Sequence, residues 1–113
     1  MDVELFDFYY KGGLFKFSYC IDECHEMWFK AKEFTIYLKF SDHVKAIHEH
    51  VQREDKILGK NLEINSKFDK STIFINLTGL NSLIDKSQQD DAVEFKHWIN
   101  NEMVPRFAGE FEY

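Results

Sequence analysis

Proline is nearly absent from these 113 residues: it occurs once, at position 105, and glycine occurs only five times. That scarcity excludes collagen-like, linker-like and low-complexity tracts. Cysteine occurs twice, as Cys20 and Cys24. Two thiols build no disulfide framework, and the opening segment MDVELFDFYY is acidic and lacks a cleavage-site pattern. Both features point to a reducing compartment rather than to secretion. No run approaches the roughly 18 apolar residues that a helical membrane span needs, so no membrane partner is expected. Positive charge is also short, with 14 Lys and Arg against 20 Asp and Glu and a net charge of −6. A domain devoted to gripping a phosphate backbone is usually basic, because its cations displace condensed counterions.

What the chain has in quantity is aromatic and apolar mass. Apolar residues make up 44%, including 12 Phe, 5 Tyr and 2 Trp, which is ample for a packed core. Charged residues are 30% and mixed in sign, which argues against disorder. The length suits one domain over residues 1–113. Acidic side chains crowd the ends: Asp2, Glu4, Asp7, Asp22, Glu23 and Glu26 at the front, Asp90, Asp91, Glu94, Glu102, Glu110 and Glu112 at the back. The middle carries Lys30, Lys32, Lys39, Lys45, Arg53, Lys56 and Lys60.

Periodicity predicts an α+β domain, a small antiparallel sheet packed with about four helices. Residues 3–9 form an apolar, aromatic run, and Lys11-Gly12-Gly13 reads as a turn. Residues 14–21 set Phe15, Phe17, Tyr19 and Ile21 against Leu14, Lys16, Ser18 and Cys20, a strand period with one aromatic face. After the polar loop 22–26, Met27-Trp28-Phe29 is a short return strand. At Ala31 the period lengthens, and Ala31, Phe34 and Leu38 share a helix face. Ser41 is the expected N-cap of a second helix, with Asp42 in its first turn and Val44, Ile47 and Val51 as its buried stripe. Residues 52–72 read as a loop or β-excursion, with Ile57-Leu58 and Leu62-Glu63-Ile64 as short strands around Gly59. Thr72–Ile75 is a strand, and Asn76 opens a helix with Leu77, Leu80 and Ile84 on one face. Gly79 inside that helix costs about 1 kcal/mol against alanine, which close packing against another element would explain. Asp91 and Glu94 have capping-box spacing before a last helix that turns Ala92, Phe95, Ile99 and Met103 inward. Pro105 should end or kink it near Val104. Trp28 and Trp98 read as core anchors.

Chemistry-bearing patterns are sparse. Cys20, Cys24 and His25 lack the second ligand pair that a structural zinc site requires. His43, His48 and His50 lie on one helix and read as a solvated face, with base contact as the functional alternative. No nucleophile stands beside a base, and there is no glycine-rich phosphate loop. A non-catalytic protein is expected, with no cofactor and no small-molecule substrate. Residues 31–53 form a helix, a tight polar turn and a second helix. This is either an ordinary amphipathic pair or a helix-turn-helix-like unit presenting His43, Lys45, His48, Gln52 and Arg53 to a groove.

Five stretches taken in order resemble one family. They are Trp28-Phe29-Lys30-Ala31-Lys32-Glu33, then Ala46-Ile47-His48-Glu49-His50-Val51, then Glu54-Asp55-Lys56. They continue with Phe74-Ile75-Asn76-Leu77-Thr78-Gly79-Leu80-Asn81-Ser82-Leu83-Ile84. The last is Phe95-Lys96-His97-Trp98-Ile99-Asn100-Asn101-Glu102-Met103-Val104-Pro105. Together, over about residues 14–107, they resemble the N-terminal domain (Bro-N) of the baculovirus repeated open reading frame proteins, which is related to phage antirepressor domains. The resemblance implies a DNA-binding regulatory domain of a large DNA virus, most simply one of insects, or of a phage relative. It would influence viral or host replication and transcription in the nucleus or cytoplasm of the host cell. On that reading Lys30, Lys32, Lys39, Lys45, His48, Arg53 and Lys56 are the candidate nucleic-acid contacts. The acidic ends support a second reading, a protein-interaction module that uses the fold without DNA. A third, a structural role or homodimer, would use any of the many aromatics left exposed.

Overall fold

Residues 4–62 and 70–106 are described by a computed structural model. Strands β1 (Glu4–Tyr10), β2 (Gly13–Ile21) and β3 (Met27–Lys30) lead into helices α1 (Ala31–Tyr37) and α2 (His43–His50). Then follow β4 (Lys56–Leu58), β5 (Ile73–Ile75), α3 (Leu77–Lys86) and α4 (Ala92–Trp98). The five strands form one antiparallel sheet in the order β1-β2-β3-β5-β4, which bears out the expected α+β architecture.

The turn between β1 and β2 holds Lys11 and Gly12 at φ 52° and 74°, between the paired residues Tyr10 and Gly13. Two successive left-handed residues match the right-handed twist of a hairpin, and glycine takes the second position without strain. In the next turn the Asp22 carboxylate accepts from the amides of Cys24 and Glu26 and from the Trp28 indole, at 2.8, 2.9 and 3.0 Å. Burial works against its ionisation, yet these donors hold it below the usual carboxylate range.

Strand alternation builds two cores. Phe17, Tyr19, Phe29 and Ile75 pack with the helices around a nearly continuous set of aromatic rings. Cys20, Trp28 and Phe74 join Leu62 and the half-buried Ile57 in a second, smaller core. The Cys20 thiol there is pushed up to about 11, mainly by burial, while Cys24 is exposed. The expected β-excursion is present as β4, and pairing continues beyond it where Gly59 donates to the Thr72 carbonyl at 2.7 Å. Glu63 and Ile64 lie outside the described residues.

Four local expectations are corrected. Asp42, not Ser41, caps α2, accepting from the Lys45 amide at 3.1 Å, because a carboxylate one residue later reaches the first-turn donors. Val44 is 48% exposed, and Ala46 takes its place in the buried stripe beside Ile47 and Val51. Asp91 makes no capping bond to α4; its carboxylate instead accepts from the Tyr37 hydroxyl at 2.6 Å. Tertiary pull on that side chain overrides the local motif, and burial with this bond raises the Tyr37 hydroxyl far above its ordinary range. Finally, the irregularity in the last helix comes ahead of Val104 rather than at it. Residues 99–103 form a π-turn in which Val104 donates to the Ile99 carbonyl, and helical backbone runs on to Arg106. The wider turn shifts the hydrogen-bond register just ahead of the residue that lacks an amide proton.

Gly79 has the close approach its position suggested. A Cβ there would lie 2.9 Å from the Asp55 carbonyl oxygen and 3.0 Å from Val51 Cγ1. Gly79→Ala should therefore lower stability by about 1–3 kcal/mol, although alanine favours an unconstrained helix. A denaturant midpoint unchanged or raised in the variant would mean that α3 has room to shift.

Candidate nucleic-acid interface

The two-helix segment forms as α1, a turn in which Lys39 adopts φ 62°, and α2. Its second helix presents less than the sequence suggested. His43 is not an outward reader, for its Nδ1 lies 2.7 Å from Thr35 Oγ1. That hydroxyl also donates to the Lys32 carbonyl at 3.0 Å, so its single proton is committed and His43 Nδ1–H is the donor to it. Burial and then the nearby Lys32 ammonium lower the His43 pKa, with a smaller push from Lys30. Lys30 and Lys32 thus share the electrostatic neighbourhood of His43, at the junction of β3, α1 and α2.

A second cationic group gathers at the sheet edge. His48 from α2, Arg53 from the short turn Arg53–Asp55, and Lys56 from β4 line one depression of about 480 Å³. Its remaining walls are Ile57, Leu58, Asn61 and Ile73. Among the described residues, neither Arg53 nor Lys56 has an ion-pair partner within 4.0 Å, while Lys45 is matched to Glu49 at 3.8 Å. The exposed Glu54 beside Arg53 opposes an anion there.

What holds these cations is a buried polar node. Asp55 and Asn76 are 8% and 9% exposed. The Asn76 amide nitrogen donates to Asp55 Oδ1 at 3.1 Å, and its backbone N–H donates to the Asp55 carbonyl at 3.1 Å. Asn76 Oδ1 caps α3 by accepting from the Gly79 amide at 2.9 Å. Asp55 sits between Arg53 and Lys56, so the node fixes the turn that aims both.

The seven residues that the sequence points to therefore divide. His48, Arg53 and Lys56 share the groove, Lys30 and Lys32 flank His43, and Lys45 is paired on the α2 surface. Lys39 lines a separate depression with Phe40, His50 and Lys86. Lys86 and Asn61 were missed. Lys86 is the basic residue of the last turn of α3, a position legible in sequence, whereas nothing local marks Asn61.

A curated relative, an uncharacterized Bro-N domain-containing protein L2 of Acanthamoeba polyphaga mimivirus, is 29% identical over 89 residues. That stretch takes in 71% of this chain and 36% of the relative, so the likeness spans about a third of that protein's length. No solved structure matches the chain. The family profile described as BRO family, N-terminal domain matches residues 16–105, which holds all five motif stretches together with the Asp55–Asn76 node. With most of its length matched in this way, the chain belongs to the BRO family through that N-terminal domain.

Proposed function

We propose that this is a non-catalytic, nucleic-acid-binding regulatory domain. It would act on viral or host replication or transcription, in the nucleus or cytoplasm of an infected cell. The observation that carries the reading is the convergence of His48, Arg53 and Lys56 on one groove with an apolar wall. Unpaired cations suit phosphate oxygens, and Ile57, Leu58 and Ile73 offer a surface for sugars or bases. Lys30 and Lys32 would add contacts near the start of α2.

Fluorescence anisotropy with labelled single- and double-stranded DNA, from low to physiological salt, tests this. Arg53→Ala with Lys56→Ala is expected to weaken binding about ten-fold and to reduce the salt slope by roughly one for each phosphate no longer neutralised. Lys45→Ala should do less, because Glu49 already screens that ammonium. If the double variant keeps both affinity and slope, the groove is not the interface. A protein partner is the second reading, favoured by the net charge of −6. Partners retained from infected-cell extract after nuclease treatment would support it.

A further inference from the structure

On another face, the β1–β2 hairpin tip meets α4 around an open cup of about 600 Å³. Tyr10 and Trp98 contribute its aromatic walls, with ring centroids 4.8 Å apart. Phe95 backs both rings at 5.5 and 6.0 Å, which fixes them from behind. The rim carries Glu94 and Glu102, with Val93 and His97 as further wall residues. Val93 is 83% exposed, a large apolar side chain left in water at the lip.

The cup already holds a cation from its own chain. Lys11 Nζ stands 5.9 Å from the Tyr10 ring centroid, 2.7 Å from Glu94 Oε2 and 3.7 Å from Asp91 Oδ2. An ammonium within about 6 Å of a ring face, with a carboxylate beside it, is the arrangement by which aromatic sites recognise cationic side chains. Lys11 is 46% exposed and sits at a hairpin apex, so it can swing away. The cavity is far larger than one ammonium needs, and Glu102 adds a carboxylate that Lys11 does not engage in any ion pair within 4.0 Å. The same carboxylates repel phosphate, which separates this face from the cationic groove.

We propose that the Tyr10–Trp98 cup docks a lysine or arginine side chain from a basic segment of a partner protein, and that Lys11 occupies the site until that side chain displaces it. Val93 would meet the apolar stem of the incoming residue. The proposal does not depend on nucleic-acid binding at the groove.

The test is an NMR titration of the whole chain with a blocked pentapeptide of alternating glycine and lysine, and with its arginine counterpart. Addition of either peptide should move the Trp98 indole signal and the amides of Tyr10, Val93 and His97, while the Trp28 indole stays in place. Glu94→Gln with Glu102→Gln should weaken binding about ten-fold, and Lys11→Ala should tighten it about three-fold by removing the competitor. Lys60→Ala, which removes the same charge from an exposed site away from the cup, should not tighten binding; equal tightening there would mean general attraction rather than loss of a competitor. A charge-matched control, Glu23→Gln with Glu26→Gln on the β2–β3 turn, should leave affinity unchanged. Equal weakening by the control pair would mean simple attraction to an acidic protein and would overturn the proposal. So would unchanged or weaker binding in Lys11→Ala, or shifts of the cup signals with protein concentration alone, which would assign the cup to self-association. Amide spectra outside the cup report whether each variant is folded.

Discussion

Phe34→Ala is expected to destabilise the domain by about 3–5 kcal/mol, a large part of the roughly 5–15 kcal/mol that holds a domain of this size together. Phe34 is fully buried on the inner face of α1. Its ring meets Phe15, Phe17, Phe29 and Phe95 at centroid distances of 5.4, 5.5, 5.6 and 6.4 Å. Those four rings come from β2, β3 and α4, so the side chain ties three elements to a fourth. Truncation removes the transfer free energy of the ring and leaves a void that these rigid neighbours cannot all close. Urea denaturation checks this, with a lower midpoint and an unchanged slope. Phe40 is the internal comparison, being half-buried, with its ring centroid 5.8 Å from that of His50. Phe40→Ala should cost well under half as much. Similar losses at the two positions would mean that the ring cluster carries no special share of the stability.

Asn76→Leu is the second substitution with a large expected effect, about 3 kcal/mol in all from its two polar parts. Leucine keeps the branched outline and heavy-atom count of asparagine but has no hydrogen-bonding group, so the loss is chiefly polar, with some overpacking from its bulkier methyl groups. Without the side-chain oxygen, the Gly79 amide at the start of α3 loses its cap, at about 1 kcal/mol. Without the side-chain nitrogen, the buried Asp55 carboxylate loses its 3.1 Å donor, and a buried carboxylate left short of a partner costs roughly a further 1–3 kcal/mol. Asn76→Ser separates the contributions. Serine still caps α3 but is too short to reach Asp55, so it should lose only the second part. Thermal and urea unfolding of both variants measure the difference. If serine and leucine cost the same, the hydroxyl does not replace the cap and the two parts do not separate. On the proposed reading of the groove, both changes also weaken DNA binding, since Arg53 and Lys56 flank the residue that Asn76 holds.

Much of this was legible in the chain, and the reasons differ by element. β2 could be read because one aromatic face alternating with smaller and polar residues has a period of two. α1 and α3 could be read from apolar spacing of three to four, and Asn76 was recognised as the residue that opens α3. Gly79 signalled a close approach because glycine inside a helix is otherwise unfavourable. The failures share a cause. The Asp91 and Glu94 spacing fits a capping box, yet Tyr37, 54 residues away in sequence, claims the Asp91 carboxylate. His43 lies on a polar helix, yet Thr35 of the preceding helix draws it inward. Pro105 marks a helix end or kink near Val104 by local rules, yet the irregularity comes earlier, as a π-turn over residues 99–103, and Met103 stays fully buried.

The candidate site shows the same division. Arg53 and Lys56 were named from charge and from the Glu54-Asp55-Lys56 motif, without any sign that the motif is anchored to Asn76. Sequence order hides that anchor, because residues 59–72 intervene before β5 returns alongside β4. The Tyr10–Trp98 cup was not legible at all, since its walls come from opposite ends of the chain and Trp98 read only as a core anchor.

By itself, the sequence determined the α+β class, a core rich in phenylalanine, the order of strands and helices, and the family. Each of these rests on composition, periodicity or short motifs, which are local properties of a chain. Only the tertiary structure decided which polar side chains are spent on each other and which remain for a partner. It set Tyr37 against Asp91 and Lys11 against Glu94, and left Arg53 and Lys56 without an ion-pair partner among the described residues. Such pairing depends on separations of a few ångströms between groups far apart in the chain, and hydrogen bonds and ion pairs weaken too steeply with distance for any local pattern to encode them.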